Sequence, residues 1–222
     1  MRRSIRPLDI AVWAPYILLT IIHVIALAAQ SPLAPPTKLT LMPLLALPVL
    51  AAAPRIRPRV AVSLLLGALL FSWLGDAAGT FFPDGPELPL MLLFFGIAHI
   101  VYIVVFLRLT ARRRLPWRTL IYAVWWIGML VILGPHIGGL FFAVAAYGLV
   151  LAGTAATSAR GNATIATGGA FFLASDSILA FRLFLPDMMP AWTSPAVMLT
   201  YTLGQGLIIA GVIRALRKEE VG

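Results

Sequence analysis

The chain has 222 residues, 61% of them hydrophobic and 11% charged, with a net charge of +9 and no cysteine. Soluble domains carry roughly 25% charged residues, so a water-soluble globular fold is excluded, as are disulfides, thiolate catalysis and cysteine-ligated metals. No polar stretch is long enough to fold separately, and residues 1–222 read as a single integral membrane helical domain.

Eight apolar runs follow one another, at 10–29, 39–53, 60–82, 88–107, 117–133, 137–157, 163–185 and 192–216. Most approach the roughly 20 residues that cross a bilayer as a helix. The second is the shortest and holds Pro43 and Pro48; proline kinks a membrane helix but is tolerated there. The expected fold is all-α, a polytopic bundle of about eight transmembrane helices.

The loops alternate in charge. Arg2, Arg3 and Arg6 precede the first run, and Lys38 follows it. Arg55, Arg57 and Arg59 come next, then Asp84 and Glu87, then Arg108, Arg112, Arg113, Arg114 and Arg118. The remaining connections hold His136, Arg160 and Asp187, and the tail holds Arg214, Arg217 and Lys218. Fifteen of the 17 basic residues thus fall on one side, leaving Lys38 and Arg182. That is the positive-inside pattern, which places both termini in the cytoplasm and accounts for the net charge without nucleic acid. No small-residue cleavage site follows the first run, so no cleaved signal is expected. The expected location is a bacterial inner membrane, crossed several times.

Against this apolar background a few polar groups stand out. The stretch GALLFSWLGDAAG (67–79) carries Asp76, and GGAFFLASDSILA (168–180) carries Asp176. A carboxylate at the centre of a membrane helix costs roughly 2.5–3.5 kcal/mol. At about 1.5 Å per residue, Asp76 lies about 24 Å and Asp176 about 20 Å from the basic side. His99 lies about 16 Å from the other side, with Tyr102 one turn deeper on the same face. Tyr201 and Gln205 of the last run lie about 14 and 20 Å down. These groups therefore concentrate in the outer half of the membrane, and one polar cavity shared between helices, open outward, is expected to satisfy them. Lys38 stands at its mouth. Arg182 either snorkels to the interface or meets a lipid phosphate. Each Asp has a plainer use, pairing with His99 or Lys38 to hold helices together. Gly75 and Gly79 form a GxxxG step suited to close helix packing.

No HExxH, GxSxG or Walker loop is present, and three scattered histidines without clustered carboxylates argue against a metal. Ser72 and Ser175 each neighbour an Asp, but no histidine follows at a triad spacing.

Five pieces carry a resemblance: KLTLMPLL from Lys38, SWLGD (72–76), FFGIAHIVY (94–102), FFLASDSILA (171–180) and TYTLGQGLI (200–208). In this order they resemble the YhhN-like lysoplasmalogenase family, which includes the eukaryotic transmembrane lysoplasmalogenases. The resemblance implies hydrolysis of the vinyl ether bond of lysoplasmalogens to a fatty aldehyde and a glycerophospho-ethanolamine or -choline. It implies a lysophospholipid substrate, contact with membrane lipids, no nucleic acid and no cofactor or metal. Asp76 and Asp176 become the candidate catalytic pair. Lys38, Ser72, His99, Tyr102, Ser175, Arg182, Tyr201 and Gln205 become candidate supporting or substrate-binding groups.

The implied chemistry suits two carboxyls. A vinyl ether is cleaved by protonating its β-carbon, and water then captures the oxocarbenium ion, as in glycoside hydrolysis. Desolvation favours the protonated form of a carboxyl, and two carboxyls in one pocket divide the acid and base roles. Which Asp takes which role stays open at this point. A different class of protein fits the same residues: a small proton-coupled transporter or lipid-handling protein using Asp76, His99 and Asp176 as a relay.

Overall fold

Alanine, leucine, isoleucine and valine dominate the apolar runs. In a setting that offers no water to backbone amides, such runs satisfy their own hydrogen bonds by coiling into helices. The computed structural model describes residues 11–217; Arg2, Arg3, Arg6 and Lys218 lie outside the described residues. Eight long helices follow one another: α1 Ala14–Ala28, α2 Ala34–Ala52, α3 Val60–Asp76, α4 Glu87–Arg108, α5 Leu120–Ile137, α6 Phe141–Ser158, α7 Ala163–Phe184 and α8 Thr193–Leu216. Five segments are long and apolar enough to cross a membrane by length and composition, namely Ala34–Arg55, Glu87–Arg108, Trp117–Ser158, Ala163–Phe184 and Thr193–Leu216. The third of these contains both α5 and α6, while α1 and α3 are apolar but shorter. The chain is a multi-pass helical membrane protein.

Three boundaries differ from the sequence expectation, each for a local reason. Helix α2 starts five residues before the run at 39, because prolines are accommodated in its first turn, where their missing N–H has no helical partner. The run at 60–82 is not one helix. It stops at Asp76, and a separate turn of helix follows at Ala78–Phe81. Helix α5 continues through Pro135 and ends at Gly138, whose φ of 63° is open to glycine at little cost. The break after Asp76 also changes the meaning of the Gly75/Gly79 step. Gly75 makes room for the Phe95 ring and Gly79 for the Glu87 side chain, so the step does not bring two helix backbones together.

Close backbone packing occurs instead between α7 and α8. A Cβ at Gly168 would lie 2.8 Å from the Ile208 backbone nitrogen, and one at Gly204 would lie 2.8 Å from that of Phe172. Asn162 completes the pairing. Its side chain accepts from the Ile165 N–H at 3.0 Å, capping α7, and donates to the Gly211 carbonyl of α8 at 2.8 Å. Helix α8 is the central element, and α1 is fastened to it by the Tyr16 hydroxyl, which donates to the Thr202 carbonyl at 2.7 Å. On the opposite flank α5 and α6 face outward, with Val124 63% and Val131 71% exposed. Apolar side chains outside and His23, Ser72, His99, Ser175 and Gln205 buried inside is the distribution expected of a bundle in lipid.

The basic loops gather at one end. The Arg57 N–H donates to the Leu216 carbonyl at 3.1 Å, joining the α2–α3 turn to the end of α8. The Arg112 N–H donates to the Arg160 carbonyl at 2.9 Å, and the Arg113 guanidinium donates to the Gly161 carbonyl at 3.0 Å, joining the α4–α5 and α6–α7 connections. Asn162 then links that pair to α8.

Gly204→Val is expected to force α7 and α8 apart. Overpacking of this kind costs typically 1–3 kcal/mol, so thermal unfolding of the purified protein in detergent should shift down clearly, whereas Gly128→Val, which meets open space, should leave it unchanged.

Candidate functional site

The site begins with a proline. Pro43 has no N–H, so the carbonyl of Leu39, four residues earlier on α2, loses its helical partner. Trp73 of α3 supplies one, its indole N–H donating to that carbonyl at 2.7 Å. This bond holds the motif containing Lys38 against the motif containing Asp76. One turn beyond Trp73, the Asp76 Oδ1 lies 3.5 Å from the Lys38 Nζ. Asp76 is only 4% exposed while Lys38 is 36% exposed, so the pair runs from the interior to the rim.

The second oxygen of Asp76 accepts from the Tyr201 hydroxyl of α8 at 2.8 Å. Gln205, one turn further along α8, organises what lies behind. Its Oε1 accepts from the Tyr102 hydroxyl of α4 at 2.5 Å, and its Nε2 donates to the Ser72 Oγ of α3 at 2.9 Å. The same nitrogen lies 3.5 Å from the Tyr201 oxygen. An amide nitrogen can only donate, so the Tyr201 proton is left to point at Asp76.

A parallel arrangement surrounds Asp176 of α7. Tyr147 of α6 donates its hydroxyl to Asp176 Oδ2. The His99 Nε2 of α4 lies 3.4 Å from that hydroxyl and 3.8 Å from Asp176 Oδ2. The His99 ring is fully buried, and its Nδ1 has no hydrogen-bond partner among the described residues. Phe172 separates the two arrangements, with ring centroids 4.5 Å from His99 and 5.3 Å from Tyr201.

Lys38, Ser72, Asp76, Tyr102, Tyr201 and Gln205 thus form one hydrogen-bonded cluster, and His99 and Asp176 belong to its neighbour. Ser175 and Arg182 are engaged elsewhere: the Ser175 hydroxyl donates to the Val197 carbonyl at 3.0 Å, and Arg182 donates to Thr193 Oγ1 at 2.6 Å. Their proximity to Asp176 in sequence misleads because they leave the helix on other faces. Tyr147 and Trp73 were not singled out from the sequence. A lone tyrosine within the apolar sixth run was the available signal for the first, and the Pro43 spacing for the second. The expected open polar cavity is not what forms, since His99, Tyr102 and Gln205 have no exposed surface. Open space instead adjoins Asp176 and Tyr147, in an apolar pocket between α5, α6 and α7.

Trp73→Phe removes one bond and leaves the Leu39 carbonyl unpaired. A cost of roughly 1–3 kcal/mol is expected, read as a lowered unfolding temperature that an additional Pro43→Ala change, which returns an N–H to that carbonyl, should partly restore.

No curated protein and no solved structure matches the chain. A family model does: the YhhN family matches residues 33–212, a stretch that includes Lys38, Asp76, Asp176 and all of their partners described above. The match covers most of the chain, and the protein belongs to the YhhN family.

Proposed function

We propose that this protein is a membrane hydrolase that cleaves the vinyl ether bond of a lysoplasmalogen-type lipid by carboxyl-mediated acid catalysis. The observation that carries the reading is the pair of largely buried carboxyls, each held by a tyrosine from a neighbouring helix, with an apolar pocket lined in part by one of them. Family membership agrees with a lysoplasmalogenase-like activity.

One carboxyl, protonated, gives its proton to the β-carbon of the vinyl ether, the carbon that bears the alkyl chain. The π electrons form the new C–H bond, and the carbon bearing oxygen becomes an oxocarbenium ion. The other carboxylate takes a proton from water as the water oxygen bonds to that carbon, giving a hemiacetal. The hemiacetal O–H proton then returns to the first carboxylate while the second carboxyl protonates the departing glycerol oxygen. The C–O bond breaks, the aldehyde leaves, and both carboxyls regain their starting states. Tyr201 and Tyr147 hold the carboxyls in place, and Lys38 stands as counter-ion to Asp76 at the rim. Lys38 is also suitably exposed to meet the lipid phosphate.

The same reading takes all eight long helices as spans in a bacterial inner membrane, with the basic end and both termini in the cytoplasm. A reporter fused after Gly222 should be active only as a cytoplasmic fusion; activity confined to the periplasm would overturn the orientation.

The reaction itself is tested by incubating the purified full-length protein with lysoplasmalogen and measuring aldehyde release. Asp76→Asn keeps the size of the side chain but cannot transfer the proton. A positioned acid or base contributes roughly 10²–10⁴-fold, so turnover should fall by about that factor with folding intact. Turnover of the unaltered protein should also slow in D₂O if carbon protonation limits the rate. Near-normal turnover in Asp76→Asn would refute the carboxyl mechanism. No aldehyde, but proton-driven movement of a lipid or solute in vesicles, would favour the transporter reading.

A further inference from the structure

The pocket between α5, α6 and α7 adjoins about 410 Å³ of free space, part of it continuous with the surroundings. Two groups in its lining, Asp176 and the Tyr147 hydroxyl, can meet a ligand with a charge or a hydroxyl. The tryptophans that line it do not, because their N–H groups are committed. Trp125 donates to Ser177 Oγ at 3.0 Å, and Trp126 donates to the Ala145 carbonyl at 2.9 Å. A ligand in this pocket is therefore hydrocarbon along most of its length, with one polar or reactive point beside Asp176.

The direction of such a ligand follows from heights along the helices. Asp176 is about 20 Å from the basic end of α7, while Trp126 is only about 9 Å from that of α5. From Asp176 the lining extends both toward Trp126 and toward Ile137 and Ala180; a chain whose ether end sits at Asp176 and whose head lies toward Lys38 takes the first direction. Gly148 of α6 faces Trp126 there. A Cβ at position 148 would lie 3.2 Å from the indole ring, so glycine leaves the ring room and sets how much space remains for a ligand. Helices α5 and α6 wall the pocket and turn their other faces outward, the segment Trp117–Ser158 burying only 11% of its most apolar stretch, so the proposed entry is lateral, between them.

We infer that this pocket binds the hydrocarbon chain of a single-chain ether lipid, its ether end at Asp176, with Gly148 and Trp126 together setting the chain length accepted. The inference rests on the hydrolase reading for the identity of the ether end. Gly148→Leu fills the space below Trp126, and Trp126→Ala enlarges it.

The experiment measures kcat/KM for aldehyde release over a graded series of alkenyl chain lengths. In parallel it follows the thermal stabilisation of the protein by uncleavable saturated-ether lysolipids of the same lengths, since a ligand that binds only the folded state raises its unfolding temperature. One methylene in an apolar pocket is worth roughly 10–200-fold in discrimination. Gly148→Leu should therefore lower kcat/KM for the longest chains at least tenfold while sparing short ones, and Trp126→Ala should move the preference to longer chains. The stabilisation profiles should shift the same way. Unchanged profiles in both variants, with aldehyde still released, overturn the pocket assignment and leave the hydrolase reading standing. Shifted stabilisation profiles without aldehyde from any chain support the pocket and overturn the hydrolase reading. Equal stabilisation by a diacyl lipid of the same headgroup would also overturn the inference. If Gly148→Leu does not fold, Trp126→Ala decides: a shift to longer chains supports the assignment and no shift overturns it.

Discussion

A carboxyl with little access to water must be given partners by the protein, and much of this fold follows from meeting that demand twice. Asp76 and Asp176 sit on different helices, and each is met by a tyrosine from a third or fourth helix, Tyr201 on α8 and Tyr147 on α6. Four of the eight long helices are thereby committed to fixed heights and rotations relative to one another. Gln205 then constrains two more points, because its amide can satisfy Tyr102 and Ser72 together only if α3, α4 and α8 meet at one level. Partly satisfied, such a network in low dielectric would be worse than an apolar core.

The backbone obeys the same constraint. Pro43 breaks the hydrogen-bond ladder of α2 at a point deep enough that the freed Leu39 carbonyl needs a donor, and Trp73 provides it across to α3. The proline, the tryptophan, Lys38 and Asp76 form one mechanical unit. The helix break after Asp76 belongs to it as well, since ending α3 at the carboxylate leaves Asp76 close to the rim, where Lys38 can be both partner and surface group.

Stability and access are divided between the two flanks. Helices α7 and α8 touch backbone to backbone through Gly168 and Gly204, which leaves little freedom beneath Asp176 and Tyr201. Helices α5 and α6 turn bulky apolar residues outward and wall the apolar pocket beside Asp176.

Composition and the alternation of arginine-rich and arginine-poor loops determined the helical, membrane-embedded character of the chain and the grouping of its turns, because lipid allows few solutions for an exposed backbone and charge patterning needs no tertiary detail. The oddity of Asp76, Asp176, His99, Tyr102, Tyr201 and Gln205 in apolar runs was equally visible, since each is costly unless used. What only the tertiary structure decided is which of these groups meet. Helix rotation and height are set by packing, so Ser175, next to Asp176 in the chain, and Arg182, less than two turns on, turned away from its carboxyl, while Tyr147, inconspicuous in sequence, turned toward it. The break after Asp76 and the true close-packing glycines were hidden for the same reason: a small residue is legible as small, but what it makes room for depends on the neighbour that arrives.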